Sequence, residues 1–463
     1  MIIRMPNALP NSLCNQRLLT AVASLCLTVT LGQANAAESP YRLNEQLNLS
    51  DGFDVSLIHR SRFENIADNV QPGASKNDQV YVMRTLLDMQ YQNEQIISQL
   101  ELADMRQEFA DSDSIISTAT VNSLDILQAT IGYKFDPEGN TTLRFGRFTE
   151  DWGSRRMMAR NRFRNTINAF DGAVLHTRLA GGAELKAMAT QTVTRLPSDR
   201  QSLLDNEQQS DRSYDSRRFY GVHLALPALL DSLPAEFYYY AMREKDTADT
   251  QTRNRRLNTL GFRLRAMPEA GQFDFEIESM LQTGTQRSSA SPLDQIDLDH
   301  QAYFQFLSVG YSFPVPSGLR MTFEFDYASG DENPFDDASG RFDSMYGPTA
   351  FEFGVVGLYN FFNRSNLASP GVRLTADLSP TVDIMMLYRH LWLAEARDSW
   401  GRTGIQDVTG TSGDYLGQHL QLRVRWDIIP GNVAMESGAI IHETADLTNK
   451  DPRYAYAGLT FTF

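Results

Sequence analysis

The sequence predicts an all-β chain closed into a transmembrane antiparallel β-barrel of about eighteen strands, with short periplasmic turns and long extracellular loops. Three observations predict it. The N-terminus reads as an export signal, the chain ends in a strand that meets two different media, and short turns alternate with long polar loops.

Arg4 and Arg17 are the only charges before Glu38, an apolar run extends from Leu18 to Leu31, and Ala34-Asn35-Ala36 forms a small-residue cleavage site. Residues 1–36 are therefore expected to be a removed signal peptide, 37–52 a periplasmic N-terminal segment, and 53–463 the barrel. Cys14 and Cys26 both fall in the leader, so the exported chain is expected to lack disulfides and thiol chemistry. The run is too short to span a bilayer as a helix, and no long apolar stretch follows it, which excludes a helical membrane protein. A net charge of −15 argues against nucleic acid as a partner.

The last residues alternate. Ala455, Ala457, Leu459, Phe461 and Phe463 share one face, and Tyr454, Tyr456, Gly458, Thr460 and Thr462 share the other. A period of two is a strand with two unlike faces, and a terminal aromatic suits delivery to the machinery that assembles barrels in the bacterial outer membrane. The pattern recurs where Met321, Phe323 and Phe325 alternate with Arg320, Thr322, Glu324 and Asp326. It recurs again where Leu416, Leu420, Leu422 and Val424 alternate with His419, Gln421, Arg423 and Arg425, and where Phe53, Val55, Leu57 and Phe63 alternate with Asp54, Arg60, Arg62 and Glu64. In such a barrel the apolar face meets outer-membrane lipid and the polar face lines a wet lumen.

Turn chemistry places short connections near 92–95, 136–140, 180–183, 227–234, 267–271, 314–318, 379–381 and 430–432. Longer polar segments fall at 66–78, 110–121, 150–170, 195–216, 245–255, 284–299, 330–369, 397–414 and 444–453. Eight turns and nine loops join an even number of strands, which leaves both ends on the periplasmic side. The strand-like stretch 351–361 breaks this alternation and is assigned to the 330–369 loop, as a lid or short helix over the mouth.

Candidate functional residues concentrate between Leu143 and Leu179, which holds Arg144, Arg147, Arg155, Arg156, Arg160, Arg162, Arg164 and Arg178. Guanidinium groups present a flat fork that binds carboxylate through two hydrogen bonds. From Arg155 to Arg164 no acid intervenes, and a loop this long is expected to fold into the pore. The wall adds Arg60, Arg62, Glu64, Arg320, Asp326 and Arg389 to the expected substrate path. Interleaved acids pair with guanidiniums, so that an anion held by several arginines can also leave. The seven histidines lack metal-ligand spacing, no G-x-S-x-G elbow occurs, and neither a catalytic residue, a cofactor nor a metal is expected. The 331–337 stretch is acidic but fails the EF-hand pattern at Phe335, which leaves only loose calcium binding open.

Three segments resemble the alginate export family of outer-membrane barrels. They are SRFEN (Ser61–Asn65); Gly146-Arg147 with GSRRMMARNRFRNTINAFDG (Gly153–Gly172); and DYASGDENP (Asp326–Pro334) with GRFDSMYGPTAFEFG (Gly340–Gly354) and NRSNLASPGVRL (Asn363–Leu374). The resemblance implies a monomeric barrel whose basic constriction passes an anionic polysaccharide, alginate or a related polyuronate. The same pattern would also suit a general or small-anion porin. A barrel enzyme would need a Ser–His pair on its outer wall. The direction of passage is not fixed by the pattern.

Overall fold

Each strand of the wall pairs antiparallel with the wall strands before and after it, and the sheet closes where the first strand meets the last. The computed structural model describes residues 40–463 apart from 231, 232, 249, 351, 355 and 356; the expected signal peptide lies outside the described residues. The first half of the wall is β1 (Phe53–Ala67), β2 (Asp78–Gln92), β3 (Ile96–Glu108), β4 (Asn122–Lys134), β5 (Thr141–Phe148), β6 (Phe170–Arg178), β7 (Glu184–Leu196), β8 (Gln209–Leu230) and β9 (Leu233–Glu244). Then come β10 (Arg256–Ala266), β11 (Phe273–Gln286), β12 (Leu298–Ser312), β13 (Arg320–Ala328), β15 (Leu367–Ser379), β16 (Val382–Trp392), β17 (Tyr415–Ile429), β18 (Val433–Glu443) and β19 (Arg453–Thr462). β14 is the pair Ala338–Ser339, which runs parallel to β12 while β13 pairs directly with β15. The wall thus has eighteen strands, closed by the register Ile58↔Thr462 through Ala67↔Arg453.

All eight expected turns are the short connections of the wall, and all nine expected loops are the long ones. Side-chain alternation places Met321 and Phe323 outward and exposed, while Thr322, Glu324 and Asp326 point inward and are buried. Aromatic pairs mark both ends of the apolar band. Phe53–Tyr91 (4.6 Å) and Phe273–Tyr311 (4.8 Å) stand at the short-turn end, with Tyr303–Tyr327 (5.5 Å) and Trp392–Tyr415 (5.0 Å) at the long-loop end. The N-terminal segment forms one helical turn, Leu43–Leu47, and docks on the short-turn side, where the Tyr41 amide donates to Asn432 Oδ1 at 2.8 Å.

A barrel of this many strands is wide enough to be hollow. This one is largely packed from inside by its own loops. Trp152, Met157, Met158 and Phe342 bury against Phe170, Phe219, Tyr240 and Phe304 of the inner wall. Opposite them, Phe353, Leu358, Tyr359, Phe361 and Phe362 bury against Val80, Val82, Trp400, Tyr454 and Tyr456.

Three sequence expectations need correction. The 351–361 stretch forms no helix among its described residues, because its aromatic side chains pack separately into the lumen. Leu416 lies inside rather than against lipid: a bulge at Gly417 (φ 111°), a backbone conformation few L side chains adopt, shifts the parity of β17 there. β8 begins at Gln209, well inside the expected 195–216 loop, which also contains a one-turn helix, Arg200–Leu204.

The topology has a direct check. A membrane-impermeant maleimide is expected to label Lys76→Cys, exposed on the β1–β2 loop, on intact cells, and to label Glu138→Cys, exposed in the β4–β5 turn, only after the outer membrane is breached. The reverse pattern would invert the barrel.

Candidate functional site

A loop inside a barrel must find partners for its backbone, because buried unpaired carbonyls are costly. The 149–169 segment finds them on arginines of β1 and β2. Arg60 donates to the Arg162 carbonyl (2.8 Å), Arg62 to the Phe163 carbonyl (2.6 Å), and Arg84 to the carbonyls of Arg162 and Arg164 (3.1 Å each). The Asn165 amide answers from the loop, donating to the carbonyls of Met83 (3.1 Å) and Thr120 (2.8 Å). Glu64 braces Arg62 (2.6 Å) and also accepts from the Leu358 amide (2.9 Å) and the Tyr454 hydroxyl (2.8 Å). One carboxylate thereby ties two inward loops to the β1–β19 seam. Gly357 lies so close to it that a Cβ there would collide with the Glu64 carboxylate.

On the far side of the lumen the same loop is locked by charge. Arg156 reaches Glu276 (2.6 Å), Glu278 (2.5 Å) and Glu352 (3.2 Å), and lies 3.6 Å over the Phe306 ring. Burial alone would lower its pKa, but the surrounding carboxylates of Glu352, Glu278 and Glu276 hold it well above its ordinary value. The network continues through Arg364 on Glu352, Arg263 on Glu276 (2.6 Å) and Glu236 (3.0 Å), and Arg389 on Glu324 (2.6 Å) and Asp326 (2.9 Å). This half of the lumen is filled, and every one of these guanidiniums is paired with a carboxylate.

The space left is eccentric. A cavity of about 410 Å³ lies between the loop and the wall formed by β17, β18, β19, β1 and β2. Arg60, Arg62 and Arg84 line it from the wall, Arg155 and Arg162 from the loop, and Arg423 and Arg425 from β17, against only two lining acids, Asp151 and Glu436. Through Arg425, Glu436 and Thr460 it adjoins a cavity of about 920 Å³ at the short-turn end, bounded by 316–317 and 377–383. On the long-loop side Asn161 is shared with a third cavity, of about 400 Å³.

The expected path residues therefore separate. Arg60, Arg62, Arg155 and Arg162 border the central cavity, and Arg164 borders the one above it. Arg156, Arg320, Asp326 and Arg389 belong to the wall lattice, with Arg320 on Asp274 (3.0 Å). Arg144 is paired with Glu150 (2.5 Å), and Arg160 with Glu101 and with the Thr149 hydroxyl (2.6 Å). Arg178 is exposed at the short-turn end of β6. Arg147 shares the outward face of β5 with exposed Phe145, where it binds Asp171 at 2.8 Å, and so stands outside the lumen. Sequence reasoning missed Arg84, although two-residue alternation places it on the inner face of β2. Its inner neighbours Val80, Val82 and Leu86 are apolar because loops pack on them, which hides the signal. Among the described residues no group of His, Asp and Glu is placed to hold a metal ion.

The wall closed on itself, the lipid-facing apolar band and the wet arginine cavity define an outer-membrane channel of the porin type, sited in the bacterial outer membrane. The chain belongs to the alginate export family, whose model matches residues 52–445. No curated protein matches it in sequence. Its fold is similar to that of solved barrels, each matched over 89% of this chain and 98% of the other. These are Acinetobacter baumannii OccAB2 (TM-score 0.61, 11% identity), Pseudomonas aeruginosa OccK9 (OpdG; 0.60, 15%) and P. aeruginosa OccK5 (OpdH; 0.56, 14%).

Proposed function

We propose that the channel passes an anionic saccharide, alginate or a related polyuronate, passively through the eccentric arginine cavity. One observation carries this: seven arginines and two acids line the narrow space between the 149–169 loop and the β17–β2 wall. A carboxylated sugar chain meets several guanidiniums in succession there. Loop carbonyls already hold Arg60, Arg62 and Arg84, and carboxylates hold Arg62, Arg162, Arg423 and Arg425, so the contacts can be left as readily as entered. The packed lumen favours a single extended chain or short oligomer over a bulky solute. The barrel acts as a monomer, makes and breaks no bonds, and offers its terminal strand, ending at Phe463, to the assembly machinery.

In planar bilayers the reversal potential under a potassium chloride gradient is expected to show chloride preference despite the net charge of −15, because the local field at the cavity governs permeation. Oligouronates are expected to interrupt the current, and neutral oligosaccharides of equal length to leave it unchanged. Potassium preference together with absence of oligouronate block would reject this function.

A further inference from the structure

The chamber on the long-loop side of the 149–169 segment has a composition the central cavity lacks: five arginines line it and no carboxylate does. Two of the five are already answered. Arg255 binds Glu244 and Asp343 (2.7 Å each), and Arg217 lies 3.6 Å from Glu244. The remaining three meet only neutral groups or none. Arg164 donates to the Thr166 carbonyl (3.0 Å) and Asn168 Oδ1 (2.5 Å), and Arg195 to the Thr118 carbonyl (2.7 Å) and the same Asn168 Oδ1 (3.3 Å). Two guanidiniums thus converge on one neutral oxygen. Asp211, behind Arg195, is engaged by the Leu196 amide (2.9 Å) and Asn122 (2.8 Å). Arg402, on the β16–β17 loop, is exposed and makes no ion pair among the described residues. Burial, then Arg195 and Arg402, push the Arg164 pKa well below its ordinary value, as expected of cations gathered without an anion.

A second set of atoms points to the shape of the missing group. Asn161 Oδ1 and Thr194 Oγ1, both on residues lining this chamber, are buried and have no hydrogen-bond partner. Asn161 is itself 94% buried. An amide oxygen can only accept, and a hydroxyl can do either, so the pair suits hydroxyl groups of a ligand. Such unsatisfied atoms call for an explanation.

We propose that Arg164, Arg195 and Arg402, with Asn161 Oδ1 and Thr194 Oγ1, form a subsite for one carboxylated sugar on the extracellular side of the loop partition. The carboxylate lies among the three guanidiniums, and ring hydroxyls meet Asn161 and Thr194. This rests on the reading of the chain as a channel for uronates and adds to it a collecting point for molecules arriving from outside. From there a sugar passes Asn161, common to both cavities, into the central one.

The test is trigalacturonate block of single channels in planar bilayers, with the sugar added to one side at a time and orientation read from the side on which a maleimide reaches Lys76→Cys. Arg402→Gln removes a charge that supports no backbone. It is expected to lower the rate of block from the long-loop side about three- to tenfold and to leave block from the short-turn side unchanged. Arg402→Lys should recover most of that rate. Thr194→Val is expected to shorten trigalacturonate blocks about two- to threefold while leaving block by tricarballylate, a tricarboxylate without hydroxyls, as in the parent. If Arg402→Gln blocks like the parent from both sides, this subsite is rejected and the channel function stands. If Thr194→Val alters both blockers equally or neither, sugar recognition is rejected. If trigalacturonate fails to block the parent from either side, the channel reading falls and the subsite with it.

Discussion

Arg156→Met is expected to destabilise the barrel by about 3–5 kcal/mol and to raise single-channel conductance severalfold. The size of the effect follows from what is left behind. Glu276 keeps Arg263 and Glu352 keeps Arg364, but Glu278 retains only the hydroxyls of Tyr238 (2.6 Å) and Ser154 (2.8 Å). A buried carboxylate without a cation is the costly state, more so than the loss of the pair as such. The tip of the 149–169 loop would also lose its charged anchor on the β11 side and keep there only the Ser154 hydroxyl, although Arg60, Arg62 and Arg84 still hold its other flank. Adding Glu278→Gln to Arg156→Met should restore part of the stability and little of the pore's narrowness, since it removes the stranded charge without re-anchoring the loop. Thermal unfolding in detergent and conductance in bilayers read the two effects separately. A variant with parental stability and conductance would show that the lattice around Arg156 bears neither load.

The reason Arg156 stands apart could not be read from its own segment. In sequence Arg155, Arg156, Arg160, Arg162 and Arg164 look interchangeable. In the structure they have separate fates, and that of Arg156 is set by carboxylates more than a hundred residues away, Glu276, Glu278 and Glu352. The wall was legible because it is local: a period of two and the turn residues at 136–140, 314–318 and 430–432 give strand, turn and face together. That legibility fails where loops enter the lumen. There Val80, Val82, Tyr359 and Trp400 pack on one another, and the inner face ceases to be polar. Arg147 shows the opposite failure: its Gly-Arg motif suggested a pore residue, but position 147 has outward parity on β5. Arg402 and Arg195 drew no notice in sequence because each is a single arginine on its own element. Only closure of the barrel brings them to Arg164.

Charge reversal at Arg162 and Arg423 is expected to turn the channel from chloride to potassium preference, a change of about tenfold or more in the permeability ratio. These two were chosen because they border the central cavity without holding a loop carbonyl. The Arg162 side chain is 73% exposed and reaches only Asp151 at 3.2 Å, and Arg423 lies 3.3 Å from Asp383. By contrast, Arg60, Arg62 and Arg84 carry loop backbone, so altering them would change selectivity and pore shape at once. Replacing Arg162 and Arg423 by Glu shifts the charge of the space by four while leaving Arg155 and Arg425 in place. Field lines in a narrow aqueous gap are confined by the low-dielectric wall, so such a shift acts on every passing ion. Because the affected charges are partly exposed, raising the salt should damp the reversal, as screening lengths fall below the width of the cavity. Barrel stability should stay within about 1 kcal/mol of the parent, since neither side chain holds loop backbone and the Arg162 pair, largely exposed, contributes little. Reversal potentials measured in dilute and in concentrated potassium chloride decide the matter. Unchanged chloride preference in the dilute salt would mean that ions cross elsewhere in the lumen.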